Sequence, residues 1–308
     1  MATLRYCLLL VLILGGTNYL FAQETYPLKW RFEKGQTSHS RQIIDTETSR
    51  TLLQKDLKTP KQPAEVSKVS ARALIYWQCP EIMPNQDAVV TIMFRKGFLE
   101  YTKGKAVITC DVESPKDVEK LQTPAFKPYL HEVKDGIAFM INLKDAKVKA
   151  TWILKQTKQT PGKDKQTKVQ YERELVEGIP DRFNMESAFK QLPNKDVPVG
   201  HEWQLLRSYE VTSFEYRFKF AKIETVKGQK IATIEITGEI KKAGKKVGTI
   251  KGTYYLSLAL GVMFQQKLTE TMEEIYPTPG VKDVGGMQVK TIREISVDLI
   301  NTNVKPKK

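Results

Sequence analysis

The sequence predicts a mainly β protein: an antiparallel meander, half-barrel or sandwich, with room for two similar halves and one or two short helices packed on it. Three observations predict this. Apolar and polar residues alternate with a period of two over most of the chain, turn residues break the alternation at short intervals, and helical periodicity is confined to two stretches. Strands joined by loops this short pair antiparallel.

In the first half, Leu28-Lys-Trp-Arg-Phe32 and the stretch through Gln42–Ile44 read as strands flanking the Lys34-Gly35 turn. Ala73–Trp77, Ala88–Phe94, Gly97–Tyr101 and Ala106–Val112 follow, then Ile137–Leu143 and Val148–Leu154. Asn85-Gln86-Asp87, Lys103-Gly104 and Asp135-Gly136 punctuate them as turns. In the second half, Phe214, Tyr216, Phe218 and Phe220 occupy every second position of one strand. The phase slips at Ala221–Lys222, which predicts a β-bulge there. Ala232, Ile234, Ile236 and Ile240 form the next apolar face, followed by a Lys-Lys-Ala-Gly-Lys-Lys loop. Ile250, Tyr254, Leu256 and Leu258 continue it, and Val289, Ile295, Val297 and Leu299 make a last strand.

The two helical stretches are Pro124–Val133, ended by Lys134-Asp135-Gly136, and Asp181–Leu192, stopped by Pro193. Met185, Phe189 and Leu192 share one face of the second, and with Phe183 they suit either core packing or a lid over a sheet. Gln54–Ser70 and Gln156–Lys168 are rich in Lys, Thr, Gln and Pro without apolar periodicity, and read as exposed linkers. The expected organisation is residues 1–22 as an export signal, 23–155 as an N-terminal β half and 156–180 as a polar linker and strand. A helix with the C-terminal meander follows at 181–300, and a flexible basic tail at 301–308.

The export signal rests on Arg5 as the one charge before an apolar run from Cys7 to Leu14, the Gly15-Gly16 break, and a cleavage point after Ala22. That run is shorter than the roughly 20 residues a membrane-spanning helix needs. No later stretch is long or charge-free enough to span, so the expectation is a soluble chain outside the cytoplasm. The formal charge of +14 falls to +13 when Arg5 leaves with the signal. Lysines are densest from Lys144 to Arg173 and at Lys241, Lys242, Lys245 and Lys246. These suit a polyanionic or envelope surface, or simply a solvated face. Nucleic acid is not expected, because the compartment is wrong and stacking aromatics are not interleaved with the lysines.

Cys79 and Cys110 both fall on expected strands and, in an oxidising compartment, either pair or stay as two buried thiols. Pairing would close a loop of about 30 residues and stabilise by roughly 3–4 kcal/mol. His39, His131 and His201 have no second histidine or cysteine nearby, so no metal site is expected. There is no Gly-x-Ser-x-Gly elbow, Ser187 sits inside the expected second helix, and no glycine-rich phosphate loop precedes a helix. No cofactor and no catalytic residue are therefore assigned. The stripe Phe214, Tyr216, Phe218, Phe220, with Phe183, Met185 and Phe189 above it, is either plain core or the face of an apolar-ligand site.

Leu192-Pro-Asn-Lys-Asp-Val-Pro-Val-Gly-His-Glu-Trp203 resembles the entry to the C-terminal half of a group of uncharacterised exported all-β bacterial proteins. Leu28-Lys-Trp-Arg-Phe-Glu-Lys-Gly35, Phe126–Ile141, and the glycines Gly238, Gly244, Gly248, Gly252 and Gly261 are similar to the same group. His201 stands where the pattern has an acidic residue. The resemblance implies an exported all-β architecture and carries no catalytic residues with it. Together these readings lead to a non-catalytic envelope protein with a binding or structural role. A carrier of lipid or another apolar ligand is the alternative, and an exported hydrolase the second.

Overall fold

The computed structural model describes residues 24–117, 119–120, 123–124, 126, 136–145, 147–161, 167–175, 189–278 and 283–303. The export segment, Phe183 and Met185, His131, Ser187 and nearly all of the first expected helix lie outside them. The first half contains β1 (Thr25–Leu28), β2 (Gln36–Leu53), β3 (Glu65–Ile82), β4 (Asp87–Lys103), β5 (Ala106–Asp111), β6 (Gly136–Asn142), β7 (Val148–Pro161) and β8 (Thr167–Leu175). The second half contains β9 (Lys195–Pro198), β10 (Glu202–Tyr209), β11 (Thr212–Val226) and β12 (Gln229–Lys242). It ends with β13 (Lys245–Ser257), β14 (Val262–Pro277) and β15 (Gly286–Thr302).

Thirteen of these strands form one antiparallel sheet in the order β10-β11-β12-β13-β14-β15-β2-β3-β4-β6-β7-β8, with β5 paired to β4. The end strands β10 and β8 do not pair, so the sheet is open. β1 and β9 make a separate two-stranded ribbon. Mainly β and antiparallel is thus the fold class found. The halves expected from the sequence meet at the β15–β2 pairing and share a single sheet. A 3-10 turn lies at Pro115–Asp117, and of the second expected helix only Phe189 to Leu192 can be placed. No helix among the described residues is long and apolar enough to cross a membrane.

One face of the sheet carries the core. Phe218, Ile236, Gly252, Leu268, Ile295, Ile44, Ala71, Leu99 and Cys110 lie opposite one another in successive strands from β11 to β5. Residues opposite one another point to the same side, so this is a continuous apolar row across the sheet. Leu28, Leu192 and Val197 pack onto the row's C-terminal end. Trp30 packs against both the β11–β14 cluster and the β3–β6 cluster. Those clusters are several strands apart at about 4.8 Å per strand, so the sheet must curl for one indole to reach both.

The glycines on β13 allow neighbouring strands to close in. A Cβ at Gly252 would lie 2.4 Å from the Lys267 carbonyl oxygen, and one at Gly248 would lie 2.2 Å from that of Thr271. The bulge expected at Ala221–Lys222 is present as a register shift between Phe220 and Lys222. Two stretches read as linkers carry strand. β3 begins at Glu65, and β7 and β8 pair through the polar segment from Gln156. Backbone hydrogen bonds make such a hairpin without any apolar alternation to announce it.

The possible disulfide is not formed: both cysteines are free and buried. The register gives the reason. Cys110 lies opposite Leu99, which lies opposite Ala71, whereas Cys79 sits eight positions further along β3. At about 3.3 Å per residue that is roughly 26 Å, far beyond the ~7 Å limit between bridged Cα atoms.

Asp87 opens β4 with only 2% of its surface exposed. It accepts hydrogen bonds from Lys149 Nζ at 2.6 Å, Asn142 Nδ2 at 2.8 Å and Asn85 Nδ2 at 2.8 Å. The Lys149 bond first of all holds its carboxyl below the usual carboxylate range. A depressed folded-state pKa stabilises the fold above the unfolded value of about 3.9 and loses that contribution as pH falls through the lower folded value. Asp87→Asn should therefore lower Tm at neutral pH, with the difference from wild type closing in acid. Thermal melts across the acid range check it, and a difference independent of pH would contradict it.

Candidate ligand cavity

On the inner face, β14, β15, β2, β3 and β4 lie side by side and leave a cavity of about 290 Å³ above them. Its floor comes from Gln266 and Met263 of β14, Val297 and Leu299 of β15, and Gln36, Ser38, Ser40 and Gln42 of β2. Ile75, Trp77, Gln78 and Cys79 of β3, Val262 of β14, and Val90 and Ile92 of β4 complete it. Its roof is the strap between β1 and β2, where Trp30, Arg31 and Phe32 reach in, together with Phe189 and Gln191. The alternation Leu28-Trp30-Phe32 anticipated a strand through Phe32. The strand stops at Leu28, and Trp30 and Phe32 turn their rings into the cavity instead.

The roof is fixed at several points. Trp30 Nε1 donates to the Phe189 carbonyl at 3.0 Å, and Trp203 Nε1 donates to the Gln191 carbonyl at 3.0 Å. The Tyr254 hydroxyl donates to Gln191 Oε1. Phe189, 2% exposed, meets four rings at centroid distances of 6.1 Å (Trp30), 5.8 Å (Phe32), 6.5 Å (Trp77) and 5.1 Å (Phe139). Arg31 donates from its backbone to the Gly261 carbonyl at 3.0 Å and from Nη1 to the Ala259 carbonyl at 2.7 Å. Its aliphatic stem lies over Gly261, where a Cβ would come within 2.4 Å of Arg31 Cγ. The strap is thereby tied to the turn between β13 and β14.

Of the apolar face singled out in the sequence, the cavity uses Phe189 alone among the described residues. Tyr216, Phe218 and Phe220 are 6%, 1% and 0% exposed and belong to the solid core. Phe218 stacks on Trp203 at 5.4 Å and on Tyr254 at 6.2 Å, and Phe214 packs half-buried at the edge of the same cluster. The stripe lies beside the cavity and does not line it.

The four hairpin lysines are brought together, but with partners. Lys241 pairs with Glu215 at 2.6 Å, Lys242 with Glu274 at 2.9 Å and Lys246 with Glu239 at 2.8 Å. Lys245 is exposed at the turn. Much of the local positive charge is therefore balanced by glutamates on neighbouring strands.

Chemistry at the cavity is sparse. Among the described residues no carboxylate and no histidine lines it. Burial pushes the Cys79 thiol up to about 11, which keeps it protonated and poorly nucleophilic at neutral pH. His39 stacks on Tyr76 at 4.6 Å and pairs through Nδ1 with Asn301 Oδ1 at 2.6 Å, away from the cavity lining. No group of three or more His, Cys, Asp or Glu able to hold a metal occurs among the described residues.

The residues that sequence reasoning missed are on β2. Gln36-Thr-Ser-His-Ser-Arg-Gln42 has no apolar position on either face, yet the strand sits in the middle of the sheet. The available signal was a polar strand inside an otherwise alternating protein, and it can be read only once the strand's central place is known.

No protein-family model matches the sequence, and no curated protein matches it. Among solved structures, one titled for lipid–protein interactions in lipovitellin is similar at 8% identity and TM-score 0.44, covering 90% of this chain and 26% of that one. This chain thus spans about a quarter of that structure's length. The P. putida toluene transporter TodX aligns at 8% identity and TM-score 0.18, covering 90% of this chain and 92% of that one.

Proposed function

We propose that the protein is a non-catalytic binding protein that works outside the cytoplasm and holds one small, largely apolar molecule in the cavity beneath the Trp30–Phe32 strap. The observation that carries this reading is the cavity itself. About 290 Å³ is left open between aromatic and aliphatic walls, in a protein whose core beside it is closed by continuous apolar rows. Pockets for small molecules run from roughly 300 to 1,000 Å³ and are walled by such residues with a few polar groups among them. At about 30 Å³ per water-sized group, this one accommodates about ten non-hydrogen atoms, too few for a whole phospholipid. An aromatic and aliphatic lining with Ser, Gln and Arg31 as its polar groups among the described residues, and a Cys79 thiol held protonated, support binding over hydrolysis.

Native mass spectrometry of protein purified from its own cells tests this. The expected result is a bound small-molecule mass in wild type that is missing from Ser40→Phe, which fills the cavity from the floor. Val297→Phe serves as a second filler should the first not fold. A clean unliganded mass for the wild type, after purification without detergent or solvent, would count against the reading.

A further inference from the structure

Among the described residues, Arg31 brings the one charge to the cavity lining, and a guanidinium stays protonated at neutral pH. Its seat is shaped for it. The Arg31 backbone N–H donates to the Gly261 carbonyl at 3.0 Å, and Nη1 donates to the Ala259 carbonyl at 2.7 Å. The stem crosses Gly261, where φ is +61° and a Cβ would meet Arg31 Cγ at 2.4 Å, so glycine is needed there for backbone and space alike. Strap and turn thus hold the half-buried side chain in place before any ligand arrives.

What holds the guanidinium does not neutralise it. A carbonyl oxygen takes one N–H and removes no charge, whereas arginine offers five N–H donors in a planar fork. Nη1 carries the one side-chain hydrogen bond of Arg31 among the described residues, which leaves the edge formed by Nε and Nη2. No carboxylate among the described residues pairs with it, Glu33 two positions along the strap included. A carboxylate meets such an edge with two parallel charge-assisted bonds, each roughly twice as strong as a neutral one. A hydroxyl or amide gains less, and an ammonium is repelled.

The remaining lining sets what carries the acid. Ala259 and Gly261 lead into Val262 and Met263 of the lining, so the guanidinium is tied to the β14 side. Four strands away, at β4, the wall is Val90 and Ile92, which with Ile75 pack against Trp30, Phe32 and Phe189 in one apolar cluster. The cavity is therefore charged at one side and apolar at the other.

We infer that the ligand is a small organic acid of about ten non-hydrogen atoms, its carboxylate on the Nε–Nη2 edge of Arg31 and its apolar or aromatic body beneath Trp30 and Phe189. This rests on the cavity's being a ligand site, as proposed above.

Octanoate, octanamide and octylammonium are the probes, since they share a chain and differ in charge. Binding at neutral pH is read by calorimetry and by tryptophan emission, to which Trp30 and Trp77 contribute from the cavity wall. Octanoate is expected to bind about fivefold or more tighter than octanamide, with octylammonium weakest. Arg31→Met keeps a stem over Gly261 and should erase the octanoate-to-octanamide ratio, a change that a merely structural tie would not produce. Arg31→Lys keeps the charge without the fork and should retain part of the ratio. The wild-type comparison needs no variant, so it stands should Arg31→Met fail to fold. Octanoate no tighter than octanamide or octylammonium, or a ratio that survives Arg31→Met, would overturn the acid inference and leave the cavity as a ligand site. Failure of all three probes to bind would overturn the inference together with the reading it rests on.

Discussion

Phe218→Ala is expected to destabilise the protein by about 3–5 kcal/mol while leaving ligand affinity in the surviving folded fraction within a few-fold of wild type. Phe218 is 1% exposed and stacks between Trp203 and Tyr254, with Tyr216 at 6.1 Å. It stands in the apolar row that continues through Ile236, Gly252 and Leu268. Truncating it removes a ring from a site whose neighbours are held by their own strands and cannot collapse into the gap. Since domains are stable by only about 5–15 kcal/mol, the loss should appear as a large drop in the urea midpoint. A ligand face would behave in the opposite way, with little change in midpoint and lost binding, and that outcome would return the aromatic stripe to the functional site.

Trp30→Ala should cost about 3 kcal/mol and weaken ligand binding by more than about tenfold, two effects from one residue. The indole is shared by the clusters at the two ends of the curl, donates to the Phe189 carbonyl, and forms part of the cavity roof. Without it the strap keeps the Arg31 attachments and the Phe32 ring against Phe189 but loses the indole and its hydrogen bond to the Phe189 carbonyl, and the cavity opens to water. Trp30→Phe separates the contributions. It retains most of the apolar body and removes the N–H donor, so it should cost about 1 kcal/mol and keep most of the affinity. Denaturation curves and a binding isotherm on both variants check this. Equal losses in the two would mean that the hydrogen bond, not the packing, holds the roof.

Much of the fold could be read from the sequence because alternation reports burial on one face. Phe214 to Phe220, Ala232 to Ile240 and Ile250 to Leu256 declared both their strands and their inward sides, and the slip at Ala221–Lys222 declared a bulge. Where neither face gives a pattern, the reading failed. The polar hairpin β7–β8 and the start of β3 are held by backbone pairing, which any sequence can supply, and Gln156 onward therefore looked like linker. Strand order was out of reach for a related reason. The chain's last strand closes against β2, a contact between residues over two hundred positions apart. That same closure places β2 at the centre and turns its serines and glutamines into a cavity floor. The aromatic stripe read as core or ligand face alike, because density of rings marks a solid core as readily as a pocket; its rings pack in the core cluster beside the cavity, whereas the strap residues Trp30 and Phe32 looked like one more strand. The two cysteines were each placed correctly on strands, and only the register shows them to be far apart.

The central claim is that the space beneath the strap is a binding site, and the most direct measurement is a calorimetric titration of 1-octanol into wild type and Ser40→Phe. The account predicts saturable binding of one equivalent to wild type, with a matching shift in tryptophan emission, and no binding to Ser40→Phe at an unchanged Tm. Equal binding to the two proteins would place the ligand elsewhere and contradict the account.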